Sequence, residues 1–149
     1  HFDHLLGVKE IRALAPDVDL WVHPDEKLLL RDPEYNGSVM MGMRVSIDDD
    51  TRDLVEGPME IGGFALNVLH TPGHSPGGCA LVFDNLCISG DTLFAGSIGR
   101  ADFPGCDGAA LLRGIREKLF ALPDDTIVYP GHFGQTTIGR EKRTNPFLQ

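Results

Sequence analysis

Positive charge is scarce in this chain. Thirteen lysines and arginines face 22 aspartates and glutamates, a formal net charge of −9 over 149 residues. A nucleic-acid binder needs a basic face to meet phosphates, so that class is not expected. A cationic metal centre is not disfavoured by such a balance. Long apolar runs are lacking too. Nothing approaches the roughly 18 to 20 apolar residues of a membrane-spanning helix, and no stretch reads as a signal peptide. Paired cysteines are also absent. Cys79, Cys87 and Cys106 are an odd count at unrelated spacings with no C-x-x-C. Free thiols in a reducing, cytoplasmic compartment are therefore expected. Cys79 and Cys87 fall in apolar, strand-like runs and read as core filling. Cys106 falls in a glycine-rich loop, where exposure is expected. No internal repeat is visible.

What is present is glycine and proline, 18 and ten, which point to many tight turns rather than a helical bundle. Hydrophobic residues at 42% and charged residues at 23% are an ordinary globular mix. The length predicts one domain, large enough to bury roughly two-thirds of its unfolded-chain surface.

Taken in order, apolar residues at helical spacing predict a helix from His4 to Leu14, stopped by Pro16. Asp19 to Val22 reads as a short strand. Pro24-Asp25-Glu26 opens a second helix whose buried face is Leu28 to Leu30. Asp32 to Asp53 reads as an exposed loop, with Asp48-Asp49-Asp50 a solvated turn and Met40, Met41 and Met43 packed on the body of the domain. Strands follow: Pro58 to Ile61, then Phe64 to Leu69 across Gly62-Gly63, then Cys79 to Phe83 and Leu86 to Ser89 across Asp84-Asn85. Asp107 precedes a helix carrying Leu111, Leu112, Ile115, Leu119 and Phe120. Thr126 to Tyr129 is a strand, and Thr136 to Arg143 is a basic helix. This order fits sheets with helices packed outside them.

Three of these strands deliver a turn bearing one metal-ligand type beside glycine: His74, Asp91 and His132. Glycine lets the backbone turn sharply and approach a metal closely. The chain's first four residues, His1-Phe2-Asp3-His4, add His1, Asp3 and His4. Imidazole and carboxylate both suit zinc, manganese or iron. Six such donors are about the number that two metals sharing one carboxylate would want. His70 reads as a strand-end residue beside the ligands, His23 as a turn residue and Asp102 as a loop anchor.

The four stretches His1-Phe2-Asp3-His4, Thr71-Pro72-Gly73-His74-Ser75-Pro76-Gly77, Ser89-Gly90-Asp91-Thr92-Leu93-Phe94 and Tyr129-Pro130-Gly131-His132 together resemble the metallo-β-lactamase superfamily, in the family's order. The segments Gly96 to Gly105 and Thr136 to Phe147 resemble its short, single-domain glyoxalase II-like members. The resemblance implies an α/β fold of the αββα sandwich type. It implies that His1 and His74 bind a first metal, that Asp3, His4 and His132 bind a second, and that Asp91 bridges them. The cofactors implied are two divalent ions, zinc first, with iron or manganese as alternatives. The reaction implied is hydrolysis of a glutathione thioester such as S-lactoylglutathione by a hydroxide held between the metals, with Asp3 orienting or deprotonating the water. Arg100 matches, by loop position, a basic residue for the glutathione carboxylate. Phe133 lies near an aromatic position that lines the glutathione site in larger relatives.

The chain departs from the family pattern in three ways. The full motif is His-x-His-x-Asp-His, and this sequence begins at its second histidine. The expectation is a sandwich lacking its first N-terminal strands, with apolar surface left bare. Phe133 replaces the glycine usual in short relatives. The separate substrate-binding domain of larger glyoxalase II enzymes is not seen, which leaves glutathione specificity open. Two alternatives stand beside the hydrolase. One is a sulfur dioxygenase using a single iron held by two histidines and a carboxylate, here the motif's absent first histidine with His74 and Asp91. The other is a truncated, non-catalytic relative.

Overall fold

Gly7 decides where the first helix begins. A computed structural model describes residues 1–149, which form two compact units, His1–Leu54 and Val55–Gln149. In the first unit, Phe2–His4 is a single 3-10 turn, and helix α1 spans Val8–Leu14 with Gly7 as its uncapped N-terminal neighbour. The predicted start at His4 is thus four residues early. Glycine is a poor helix former, and no side chain caps this end. Ala15 then leaves the helical region, with φ −138° and ψ 78°, because the following proline disfavours helical backbone there.

Strand β1, Trp21–Val22, pairs in parallel with β2, Arg52–Asp53. Pro24–Glu26 is a 3-10 turn capped by the His23 ring, whose Nδ1 accepts from the Asp25 N–H at 3.3 Å. It leads into α2, Lys27–Arg31. Leu29 and Leu30 are buried as expected, but Leu28 is about half exposed.

The segment from Asp32 to Asp53 is not the plain exposed loop that its sequence predicts. Asn36 is fully buried. Its side-chain amide donates to the carbonyls of Leu29 and Val45 at 3.0 and 2.9 Å, and its Oδ1 accepts from the Ser38 N–H at 3.0 Å. Ser38 Oγ in turn accepts from the Val45 N–H. Polar anchoring replaces the apolar packing expected of the methionines. Met40, Met41 and Met43 all lie exposed, Met40 at 73%. The Asp48–Asp50 triplet is solvated, with Asp49 paired to Arg12 at 3.3 Å.

The second unit is built on one six-stranded sheet in the order β10-β9-β6-β5-β4-β3. Strands β3 (Gly57–Ile61) and β4 (Phe64–His70) form the expected hairpin. Gly62 and Gly63 both take positive φ at its two-residue turn, which is what a tight hairpin demands. Strands β5 (Cys79–Phe83) and β6 (Leu86–Gly90) pair antiparallel across Asp84-Asn85. A small hairpin follows, β7 (Leu93–Phe94) with β8 (Ser97–Ile98), and only β8 falls within the Gly96 to Gly105 segment.

Helix α3 spans Gly108–Glu117, and the Asp107 carboxylate caps it by accepting from the Ala110 N–H at 2.9 Å. It is the crossover that lets β9 (Ile127–Pro130) lie parallel beside β6. Strand β10 (Thr136–Thr137) and helix α4 (Ile138–Thr144) close the chain, with Thr137 capping α4.

One face of the sheet gives Ala80, Cys87 and Val128 to a core completed by Leu111, Ile115 and Leu119 from the α3 region and Ile138 from α4. Burial pushes the Cys87 thiol up to about 12, the behaviour of a core residue. Cys79 is only half-buried, its thiol donating to the Gly77 carbonyl at 3.3 Å. No disulfide forms. No helix is long and apolar enough to cross a membrane.

The cap of α3 offers a test of this account. Asp107→Ala should lower stability by about 1 kcal/mol through loss of the N-cap. Denaturant unfolding should show the midpoint fall with an unchanged slope.

Candidate metal centre

Strand direction brings the three ligand turns together. Strand β4 is antiparallel to β5, and β5 to β6, so β4 and β6 run the same way. Strand β9 runs parallel to β6. The C-terminal ends of β4, β6 and β9 therefore share one edge of the sheet, and His74, Asp91 and His132 follow those ends. The Gly131 N–H donates to the Gly90 carbonyl at 2.9 Å and ties the second and third turns together. Thr71 and Thr92 join the first to the second through a hydroxyl–hydroxyl bond of 3.0 Å.

The result is a cluster on one carboxylate oxygen. Asp91 Oδ2 lies 3.4 Å from His74 Nε2 and 3.3 Å from His132 Nε2. Two ligands about 2.0–2.2 Å from one tetrahedral ion sit roughly 3.3–3.5 Å apart, so the spacing fits a metal cradle. Two imidazoles and a carboxylate are also the right chemistry for zinc or iron.

The His74 ring is held from behind. Its Nδ1 donates to the Arg100 carbonyl at 2.9 Å, which fixes the proton there and leaves Nε2 as the donor toward a metal. His74 and Asp91 are nearly buried, with side chains 10% exposed, whereas His132 is 46% exposed. The cluster thus has a closed side and an open side.

Gly99 makes the approach of these residues possible. A Cβ there would lie 1.9 Å from the Asp91 carbonyl oxygen and 3.2 Å from the His74 Cβ. Gly73, at φ 139°, is equally constrained, because a Cβ would lie 2.4 Å from the Leu111 nitrogen.

In the first unit, the 3-10 turn carries Asp3 and His4, with His4 Nε2 3.6 Å from Asp3 Oδ2 and both exposed. The His4 N–H donates to the His1 carbonyl at 3.1 Å. Phe2 donates its N–H to the carbonyl of Asn36 at 3.1 Å, so the buried asparagine also anchors this turn.

Arg100 is exposed and engaged. Its Nε and Nη2 donate to the two Asp102 oxygens at 2.6 and 2.8 Å, and its guanidinium stacks 3.8 Å over the Phe103 ring. This fork raises the Arg100 pKa and lowers that of Asp102, each mainly through the hydrogen bonds they share. Asp102 is thus the loop anchor expected of it. Phe133 takes a positive φ of 67° and is 78% exposed. Its ring meets Phe94 edge-on at 5.5 Å, and Phe94 meets His132 at 6.0 Å. His70 donates Nε2 to the Pro76 carbonyl at 3.0 Å, which holds the first ligand turn closed. Cys106 is half-buried, its thiol donating to the His74 carbonyl at 2.9 Å. Arg143 and Lys142 pair with Asp124, as a solvated basic helix face should.

Sequence pattern does not single out Asn36, Gly99 or the Arg100 carbonyl, whose roles come from contacts distant in the chain.

Comparison with known proteins gives the family of the chain. The family profile described as the metallo-beta-lactamase superfamily matches residues 1–132. The probable metallo-hydrolase YqgX of Bacillus subtilis is 42% identical over 153 residues, covering 99% of this chain and 72% of that protein. The hydroxyacylglutathione hydrolase GloC of Haemophilus influenzae is 47% identical over 92 residues, covering 60% of this chain and 43% of GloC. Among solved structures, the B3 metallo-beta-lactamase BLEG-1 is 40% identical with a TM-score of 0.93, over 99% of this chain and 73% of that one. TTHA1623 in a di-iron-bound form is 39% identical with a TM-score of 0.87, over the same shares.

The packing of Gly99 predicts that Gly99→Ala will displace Asp91 or His74. Metal affinity, measured by chelator competition, should fall about tenfold or more, the scale of supporting-residue losses, while far-ultraviolet circular dichroism is kept.

Proposed function

Because the chain belongs to the metallo-β-lactamase superfamily, we propose that it is a metal-dependent hydrolase of glutathione thioesters of the S-lactoylglutathione type. Its mixed α/β fold is the superfamily's. The observation that carries the hydrolase reading is the pair of imidazoles within 3.4 Å of one Asp91 oxygen. The thioester reading is supported by the similarity to GloC. The resident cofactor is read as two divalent ions. His1 and His74 would hold one, Asp3, His4 and His132 the other, and Asp91 both. Zinc suits these donors, and the di-iron form of TTHA1623 makes iron the first alternative.

The chemistry such ions supply when bound is a water acidified to near neutrality and an electrophile for the carbonyl oxygen. The chain's own residues do the rest. Asp3 is exposed and carries a carboxylate able to orient the attacking water or take its proton. His74 keeps one tautomer because the Arg100 carbonyl can only accept. His132, on the open side, leaves room for the substrate carbonyl. Water adds across the C–S bond, and the products are a hydroxy acid and glutathione. Arg100 is the partner for a glutathione carboxylate, which would have to compete with Asp102 for the same fork. Phe133, exposed beside Phe94, offers an apolar wall for the thiol end of the substrate.

Hydrolysis of a β-lactam amide is the second reading, favoured by the 40% identity to BLEG-1. The same donors and the same attack would serve it, without a role for Arg100.

Metal content per chain with S-lactoylglutathione and a cephalosporin assayed on one sample tests both. About two metals with thioester turnover is expected. Cephalosporin turnover alone would move the reading to the lactam, and one iron with oxygen uptake would move it to a dioxygenase. Arg100 has its own signature. Arg100→Met should raise KM for the thioester about tenfold or more with kcat little changed, the loss expected of a charge-assisted contact. Asp102→Asn should lower KM, because it releases the guanidinium. Steady-state kinetics on both variants would show it, and an unchanged KM in each would remove Arg100 from the substrate site.

A further inference from the structure

Glu141 is a fully buried acid with no cation beside it. Burial of a carboxyl group is costly unless its oxygens are met by donors. Three donors meet it. Oε1 accepts from the Thr136 hydroxyl, and Oε2 accepts from the Gly96 N–H and the Asn145 side-chain amide, both at 2.9 Å. The same Asn145 amide donates to the Ser97 carbonyl at 2.9 Å. Asn145 is also fully buried.

Gly96, bound by Glu141, and Ser97, bound by Asn145, lie at the turn end of the β7–β8 hairpin. They lie about half the chain's second unit away in sequence from Glu141, so the bond is a tertiary clamp rather than a local cap. Gly96 has a φ of 70°, in the left-handed region that favours glycine.

What the clamp holds is the segment that builds the ligand cluster. The hairpin starts beside Asp91. It ends at Gly99, which packs on the Asp91 carbonyl, and at Arg100, whose carbonyl orients His74. Phe94 on the hairpin meets the ring of His132. One mobile hairpin would loosen all three ligands at once. An apolar pair at Glu141 and Asn145 could fill the space, but it could not bind a backbone N–H and C=O at the hairpin tip.

We propose that Glu141, with Asn145, is a positioning residue for the metal ligands, acting by clamping the Gly96–Ser97 tip from helix α4. The role in metal retention rests on the ligand set proposed above, whereas the clamp itself does not. The decisive comparison is between two losses around the same carboxyl group. Asn145→Ala removes the contact to the Ser97 carbonyl and one donor to Glu141, leaving the Gly96 N–H on Glu141, and Thr136→Val removes a contact made away from the hairpin. Glu141→Gln is the third variant, and the first two decide the matter if it does not fold.

Amide hydrogen exchange over residues 92–100 is measured on the metal-free proteins, with unfolding temperature as the stability control. Zinc affinity is measured by chelator competition. Asn145→Ala and Glu141→Gln should speed exchange over 92–100 and weaken zinc about tenfold, the scale for residues that orient ligands. Thr136→Val should do neither at a matched loss in unfolding temperature. Unchanged exchange in Asn145→Ala, or equal changes in Thr136→Val, would overturn the clamp. Changed exchange with unchanged zinc affinity would overturn its bearing on the ligands. A wild-type protein that takes up no zinc, iron or manganese would count against the hydrolase reading, while the exchange data would still judge the clamp.

Discussion

The parallel pairing of β6 with β9 is the constraint on which the rest depends. A parallel pair needs a long connection, and α3 supplies it between the two strands. Once they pair, their C-terminal ends lie side by side, and the Gly131 to Gly90 hydrogen bond sets the register of the turns that follow. Asp91 and His132 become neighbours by topology, before any side-chain interaction is made. Strand β4 reaches the same edge because one antiparallel strand, β5, separates it from β6. Strand direction thus brings the turns of His74, Asp91 and His132 to one edge of the sheet.

Topology sets position to within a turn, and buried polar groups set the remainder. Two nodes do this, one in each unit. Asn36 satisfies the carbonyls of Leu29 and Val45 and presents its own carbonyl to Phe2 in the turn that carries Asp3 and His4. Glu141 and Asn145 hold the hairpin that follows Asp91. In both places a backbone segment without long regular pairing must be fixed. Apolar packing is non-directional and would allow such a segment to slide. A buried amide or carboxyl group permits one arrangement, because every other leaves its polar atoms unmatched at a cost of about 1–3 kcal/mol each.

The periodic and the turn-marked parts of the fold were legible in the sequence. The Gly62-Gly63 and Asp84-Asn85 hairpins, the Asp107 cap and the strand from Thr126 stand close to where pattern placed them. These signals are local, each decided by residues within a few positions. The turns that carry His74, Asp91 and His132 were legible for the same reason, since each follows an apolar strand and sits beside a glycine. What could not be read was long-range polar matching. Nothing near Asn36 in sequence says that it will be buried, and composition made the following methionines the obvious anchors, yet they lie exposed. The start of α1 failed for a smaller reason, the weight of one glycine against an apolar run that spaced correctly. Gly99 shows the limit most clearly, because its need for a missing Cβ comes from a carbonyl reached only after the chain has folded.

Arg100 joins both kinds of information in one residue. Its backbone carbonyl is committed to His74, so the residue's position is fixed by the ligand cluster whatever its side chain. Its guanidinium points to the surface and is held by Asp102 and the Phe103 ring. The two ends are therefore independent. Side-chain changes at this position would alter what the surface loop can bind without altering the tautomer of His74, because every residue type offers the same carbonyl. The converse holds for Gly99, one residue earlier, where any side chain would reach the ligands themselves. A loop built this way can change its surface chemistry at Arg100 and Asp102 while Gly99 keeps Asp91 and His74 in place.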